Sequence, residues 1–353
     1  MSNTFGDRIT LSVFGESHGC GIGMVLGGLP AGEPVCEEEI AREMARRAPG
    51  HSRLATPRRE PDTVELLSGV LDGKTTGAPV CGLIRNTNTR SGDYTPELPR
   101  PGHADLAAYF KYHGYADYRG GGHFSGRLTA PLVLAGSLAR QILRRRGVTV
   151  GAHIEQIGQV RDDRFENPDA ARLLALYDSG FPLLNPAVRE AMEETILAVR
   201  ADGDSVGGIV ECAAVGVPAG LGSPFFDSIE SKLSHLLFSV PAVKGVEFGD
   251  GFGLCSRRGS EANDPIRVEN GRIYTESNHN GGLNGGITNG MPVICRAAVK
   301  PTPSIARPQR TVNLKTGENA ELRIRGRHDP CIVPRAVPVV EACMCLCLLD
   351  EMV

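Results

Sequence analysis

Two histidines stand on glycine-flanked turns early in the chain. Gly15-Glu16-Ser17-His18-Gly19 presents a hydroxyl beside an imidazole, and Arg100-Pro101-Gly102-His103-Ala104-Asp105 places a second imidazole two residues before a carboxylate that can orient it. An imidazole titrates near neutral pH, so each is a candidate proton donor. The first turn also fits the Gly-x-Ser-x-Gly pattern of a hydrolase nucleophile elbow, but such an elbow follows several strands and leads into a helix. Here it stands at residue 15 with another Gly-rich apolar run behind it. Adjacent residues rarely serve as nucleophile and base of one triad, so a serine hydrolase using Ser17 and His18 is the minor reading.

Anion chemistry is written in a third segment. Arg119-Gly120-Gly121-Gly122-His123-Phe124-Ser125-Gly126-Arg127 directly precedes a helical pattern, bringing backbone N–H groups, a hydroxyl and a guanidinium to a helix N-terminus. It lacks the Gly-Lys-Ser/Thr ending of a P-loop and the clean parallel strand of a dinucleotide fingerprint. Gly326-Arg327-His328-Asp329-Pro330 packs a base, an imidazole and an acid into three consecutive positions. It has no second ligand pair at helical spacing, which argues for a catalytic or cofactor-contacting loop over a metal site. Arg144-Arg145-Arg146 closes a helix before Gly147 and reads as a solvated C-terminal cap.

These turns need elements to hold them. Ile9 to Phe14 and the apolar stretch to Leu26 read as a strand pair around the first turn. Pro34 to Met44 has helical spacing with acids first (Glu37, Glu38, Glu39) and bases last (Arg46, Arg47) before Pro49-Gly50 ends it. Thr63 to Gly69, Ala78 to Asn86, Ser205 to Val217 and Met291 to Val299 read as strands; Leu128 to Arg146, Pro186 to Arg200 and Ser223 to Phe238 read as helices. Cys343, Cys345 and Cys347 read as small apolar fillers of a terminal helix. The Gly- and Asn-rich stretch 278–290 and the proline-rich loop 300–309 are long enough to be functional. Strands and helices mix without a βαβ rhythm, no repeat appears, and no linker divides the chain, so one intertwined α/β domain of the α+β type over residues 1–353 is expected.

Composition narrows the function. The net charge of −3 and the lack of interleaved aromatics speak against a nucleic-acid binder built on the basic residues. Of 38 basic residues, 6 are lysine and 32 arginine, the side chain whose planar fork suits carboxylate and phosphate. Ten cysteines without an N-terminal leader suggest a reducing, cytoplasmic compartment, and no apolar run is long enough to span a membrane.

Six motifs in one order carry a resemblance: GESHG at 15–19, RRAPGHSR at 46–53, RPGHADL at 100–106, RGGG at 119–122 with Ser125 and Arg127, VKGVEFGDGF at 243–252, and GRHDPCIVPRA at 326–336. Together they resemble the chorismate synthase family, from near residue 5 to near residue 345. That resemblance implies a single-domain β-α-β sandwich of antiparallel sheets and helices, assembled as a homotetramer. It implies a phosphate lyase that requires reduced FMN, the 1,4-anti elimination of phosphate from 5-enolpyruvylshikimate 3-phosphate giving chorismate. NADPH is implied as a possible electron source, and a separate flavin reductase as a possible partner.

Residue by residue, His18 matches the proton donor to the leaving phosphate, His103 the donor to reduced flavin, and Asp329 the acid beside flavin N5. Arg47, Arg53, Ser17 and Arg127 are implied as substrate or nicotinamide-nucleotide contacts, with Arg46 and Arg58 as neighbours. The FMN contacts carry over to His123, Phe124, Ser125, Pro241, Ala242, Gly285, Lys300, Pro301, Thr302, Pro303, Ser304 and Arg327. The chain departs from the family pattern at His123-Phe124, usually Arg-Ser, at Leu128, usually Glu, and at Pro241, often Asn.

Overall fold

The computed structural model describes residues 3–50, 54, 60–87, 92, 94–324 and 329–353. The chain opens with β1 (Thr4–Phe5), β2 (Thr10–Gly15) and β3 (Gly21–Gly27), continues through α1 (Glu37–Arg47), β4 (Val64–Ser68), the small hairpin β5 (Val70–Leu71) and β6 (Lys74–Thr75), and reaches β7 (Val80–Arg85). Next come α2 (Asp105–Tyr112), α3 (Thr129–Arg145), β8 (Thr149–Ile157), β9 (Val160–Arg161), α4 (Ala170–Tyr177), α5 (Arg189–Ala201) and β10 (Gly208–Val215). The last part holds α6 (Ile229–Ser239), β11 (Val243–Phe248), α7 (Gly259–Ala262), the hairpin β12 (Ile266–Glu269) and β13 (Arg272–Thr275), the hairpin β14 (Leu283–Asn284) and β15 (Ile287–Thr288), β16 (Val293–Val299), the hairpin β17 (Gln309–Asn313) and β18 (Glu318–Leu322), and α8 (Val333–Met352).

Two five-stranded sheets, in the orders β1-β2-β3-β7-β4 and β11-β16-β10-β8-β9 and each antiparallel throughout, enclose a helical layer, and α4 covers the far face of the second. Between them, α3 lies on the first sheet and α8 on the second, and the helices pack on each other. α8 is mostly apolar and buried along nearly its whole length, as an interior helix is, and its buried acids Glu341 and Asp350 are both partnered. The helices meet where Gly136 faces Ala342: a Cβ on Gly136 would stand 2.3 Å from the Cβ of Ala342, so only hydrogen fits. One apolar cluster runs from Leu11 in the first sheet through both helices to Val299 in the second. This is the layered α+β sandwich that the motifs led one to expect.

Differences from the sequence expectation have local causes. α6 starts at Ile229 rather than Ser223, because a tight turn over Phe225–Asp227 intervenes and the Ser228 hydroxyl caps the helix by accepting from Ser231 N–H. The Gly- and Asn-rich stretch is an ordered turn and hairpin, with Asp264 accepting from His279 and Asn280 N–H at 2.8 and 3.1 Å. The Arg144–Arg146 run is more than a solvated cap: Arg144 and Arg145 pair with Glu39 and Glu33 at 3.3 and 2.7 Å, and Arg146 donates to the Met352 carbonyl at 2.5 Å. The three terminal cysteines are buried fillers, as expected, and burial pushes their thiols well above the ordinary range, Cys345 to about 12.

Candidate active site

α3 and α8 both begin at the wall of one cavity of about 730 Å³, so two helix N-termini lend it positive potential. The remaining walls come from the first sheet, the end of α1, the start of α2, the end of α6 and the loop after β16. Such a volume is typical of a cofactor or substrate site.

α1 explains the first arginine. Its buried residues Ile40, Glu43, Met44 and Arg47 follow helical spacing, so Arg47 rides the inward stripe and emerges at the cavity as the helix ends before Pro49-Gly50. Asp62, wholly buried and at φ 50°, bridges Arg47 (2.5 Å) and Arg127. Arg127 also donates to Asn86 Oδ1 at 2.9 Å and approaches Glu60 at 3.4 Å. Arg335 pairs with Asp329 and donates to the Arg47 carbonyl at 3.0 Å. Burial and the nearby guanidiniums of Arg335 and Arg127 outweigh Asp62 and pull Arg47 down to about 10. Each guanidinium here thus has a carboxylate at contact, Arg47 and Arg127 sharing Asp62, Arg127 also near Glu60, and Arg335 on Asp329, and all three line the cavity.

The Gly120–Gly122 turn, at φ 62°, 85° and 53°, joins the two histidines. A Cβ on Gly120 would lie 2.5 Å from His18 Nε2 and 2.8 Å from Ser17 Oγ; one on Gly121 would lie 3.2 Å from His103 Nε2. Both imidazoles thus press against successive glycines of one loop, which can pass between them only because it has no side chains. His103 itself lines the cavity, whereas His18 and Ser17 stand behind Gly120, with His18 edge-on to the cavity residue Tyr94 at 5.5 Å. The Ser17 hydroxyl is buried and has no hydrogen-bond partner among the described residues, so no base activates it as a nucleophile.

Behind His103, Asp105 receives His103 Nδ1 at 2.6 Å and Arg100 through Nε and a terminal nitrogen at 2.7 and 2.8 Å. Burial opposes its charge, but the bonds from Arg100 and His103 outweigh burial and hold the carboxyl well below the usual range. Arg100 also donates to Ser304 Oγ at 3.2 Å, tying the α2 start to the loop after β16. Lys300 of that loop donates to the Gly102 carbonyl.

Of the cofactor contacts expected from the motifs, His123, Phe124, Ser125, Pro241, Ala242, Lys300, Thr302, Pro303 and Ser304 line the cavity. Ala242 does so at φ 75°, an unusual backbone for a residue with a Cβ. Thr302 Oγ1 is buried without a partner among the described residues. The His123 ring bonds the Gly15 carbonyl at 2.9 Å, and Ser125 Oγ accepts from Arg127 N–H at 3.3 Å. Pro301 abuts Gly207 outside the lining, and Gly285 sits on the β14–β15 turn, also outside it. Arg53, Arg58 and Arg327 lie outside the described residues.

Arg46 turns the other way, into an ion cluster with Glu43 and Glu341, because it falls off the stripe that carries Arg47. Asp62, Arg100, Asp105 and Arg335 complete the site. The first had no motif to mark it, while the other three lay inside quoted motifs whose histidine or aspartate drew attention first.

A two-sheet sandwich enclosing paired helices, with a cationic cavity at their N-termini and two imidazoles flanking one glycine turn, defines an enzyme that handles anions and protons together. The chorismate synthase family model matches residues 9–353, and the chain belongs to that family. A chorismate synthase of Korarchaeum cryptofilum is 48% identical over 356 residues, covering 98% of this chain and 96% of its own length. One of Thermococcus gammatolerans is 49% identical over 350 residues, covering 98% and 96%. A crystal structure of chorismate synthase shares 33% identity and aligns with a TM-score of 0.78 over 98% of this chain and 92% of that one.

Proposed function

We propose that this chain is a phosphate lyase of the shikimate pathway that converts 5-enolpyruvylshikimate 3-phosphate to chorismate by 1,4-anti elimination, with reduced FMN as cofactor. The observation that carries this reading is the pair of imidazoles packed against adjacent glycines, His103 lining an arginine-rich cavity and His18 behind Gly120 of its wall. A substrate with a phosphate and two carboxylates needs fixed cations to offset its desolvation. Arg47, Arg127 and Arg335 are suited to that task.

The residues present also fit a flavin: the lining combines apolar Leu132, Leu236 and Val339 with Lys300 and the Thr302 hydroxyl, which has no partner among the described residues. Ser125, Ala242, Lys300, Thr302 and Ser304 would hold it, and when bound in reduced form it supplies an electron-rich ring that no side chain can replace. In this reading His103 delivers a proton from Nε2, the nitrogen facing Gly121. His18 protonates the departing phosphate, whose charge favours an imidazolium beside it. Arg47 and its neighbours hold the anions while water is excluded.

The reading extends to a cytoplasmic homotetramer whose flavin is reduced by a separate enzyme drawing on NADPH. Phe225 and Phe226, 87% and 90% exposed, support an assembly that covers them. No helix among the described residues is long and apolar enough to cross a membrane.

The test is an anaerobic assay with chemically reduced FMN. Phosphate and chorismate should appear in equal amounts, oxidised FMN should give neither, and His18→Ala and His103→Ala should each lower turnover by about 10² or more. Absence of both products with reduced FMN would defeat the proposal.

A further inference from the structure

We infer that Asp105 is the positioning residue that fixes the proton on His103 Nδ1 and so leaves Nε2 as the nitrogen through which this cavity-lining ring exchanges its proton. This inference rests on the proposed use of His103 as a proton donor, but its geometry stands apart from that use. Asp105 is the first residue of α2, after an alanine at the N-cap. Its carboxylate reaches back to the preceding turn, one oxygen to His103 Nδ1 at 2.6 Å and to an Arg100 terminal nitrogen at 2.8 Å, the other to Arg100 Nε at 2.7 Å and to Arg100 N–H at 3.0 Å.

Two neighbours compete for the Nδ1 position. Arg100 approaches it at 3.1 Å and could donate to a lone pair there, which would leave the proton of a neutral ring on Nε2. The carboxylate is closer and decides the matter. Two lone pairs cannot face each other at 2.6 Å, so Nδ1 carries hydrogen, and the Arg100 nitrogen turns one of its two hydrogens to the same carboxylate oxygen. Nε2 is then left toward Gly121, where no side chain intervenes. When the imidazolium gives up its Nε2 proton, the ring becomes the neutral Nδ1–H form with its carboxylate bond unchanged. Asp105 stays ionised throughout, because its bonds to Arg100 and His103 keep it a far weaker base than imidazole. Through Arg100 and Ser304, the same carboxylate sets the ring against the loop after β16, so donor and loop share one anchor.

Proton-detected nitrogen NMR of the protein labelled at histidine reads the tautomer directly. In the parent, neutral His103 should carry its proton on Nδ1. In Asp105→Leu, Arg100 becomes the remaining neighbour of Nδ1 and the proton should move to Nε2. Turnover should fall by about 10² with KM changed by less than about threefold. In a His103→Ala background, Asp105→Leu should cost nothing more, because it acts through the ring. An Nε2–H ring in the parent, or a further loss of turnover in the double variant, would overturn the inference. Should the parent release no phosphate at all, the proposed reaction fails, and the parent spectrum alone decides the role of Asp105.

Discussion

Two neighbouring arginines at the end of α1 belong to opposite kinds of charge cluster. Arg46 meets Glu341 at 2.5 and 3.1 Å and Glu43 at 3.0 Å, while Arg140 meets the same two acids at 2.7 and 2.6 Å. The Tyr177 ring lies 4.4 and 4.9 Å from the two guanidiniums, and Ala152 N–H donates to Glu341 at 3.0 Å. There burial works against charge, yet the carboxylates win: Arg46 and Arg140 are raised and Glu341 is lowered. One residue on, Arg47 is buried as deeply but shares Asp62 with Arg127 and faces Arg335, and it is lowered. Ion pairing alone thus fails to separate structure from function. What separates them is where the guanidiniums end: Arg46 and Arg140 are closed among their acids and Tyr177, whereas Arg47, Arg127 and Arg335 line a cavity.

That contrast is broken most easily at Glu341. Glu341→Gln leaves Arg46 and Arg140 with one acid between them in the interior, and the expected loss is about 3–5 kcal/mol of folding stability. Urea unfolding measures it. A loss below about 1 kcal/mol would mean that the cluster is not the closed structural device described.

Arg47→Met should behave in the reverse sense. Its charge is disfavoured by burial and by Arg335 and Arg127, and Asp62 keeps Arg127 as a partner, so stability should stay within about 1 kcal/mol of the parent. Binding of inorganic phosphate, followed by calorimetry, should weaken by about tenfold or more, the equivalent of about 1.4 kcal/mol. Unchanged phosphate affinity with a stability loss like that of Glu341→Gln would move Arg47 into the structural class.

How much of this was legible follows from the physics of each signal. The β2–β3 pair and α1 could be read because alternation and charge order are local properties, and α8 because burial leaves it a long, mostly apolar run. β8 was not foreseen: nine residues almost wholly buried, with His153 and Glu155 inside, have no clean alternation. The opposed directions of Arg46 and Arg47 were present in the Ile40, Glu43, Met44, Arg47 spacing, but both arginines were read together as bases at the helix end, which says nothing of which one faces inward. Asp62 had no local signal, since its importance comes from Arg127, 65 positions on, which only the fold brings near. The histidine turns were visible as motifs, while their meeting across Gly120–Gly122 was a property of three dimensions.

A third cluster sharpens the comparison with the smallest effect. His153 on β8 is fully buried between Asp162 (3.1 Å) and Glu211 (2.9 Å), with Phe165 edge-on at 4.8 Å. Asp162 also accepts from Leu184 and Asn185 N–H, and Glu211 from Phe165 N–H, so the ring fastens residues 162–185 to the second sheet. Burial opposes its protonation, but both acids outweigh burial and raise it above the ordinary value. A group raised on folding contributes stability that is complete below its unfolded value, about 6.5, and is lost as pH rises through the folded one. The unfolding midpoint should therefore decline as pH is raised above about 6.5, and His153→Gln should flatten that slope without altering phosphate affinity. A slope that survives in His153→Gln would assign it to another group. A closed cluster with a titratable member should make stability depend on pH and leave anion binding alone, as Arg47 should do the opposite.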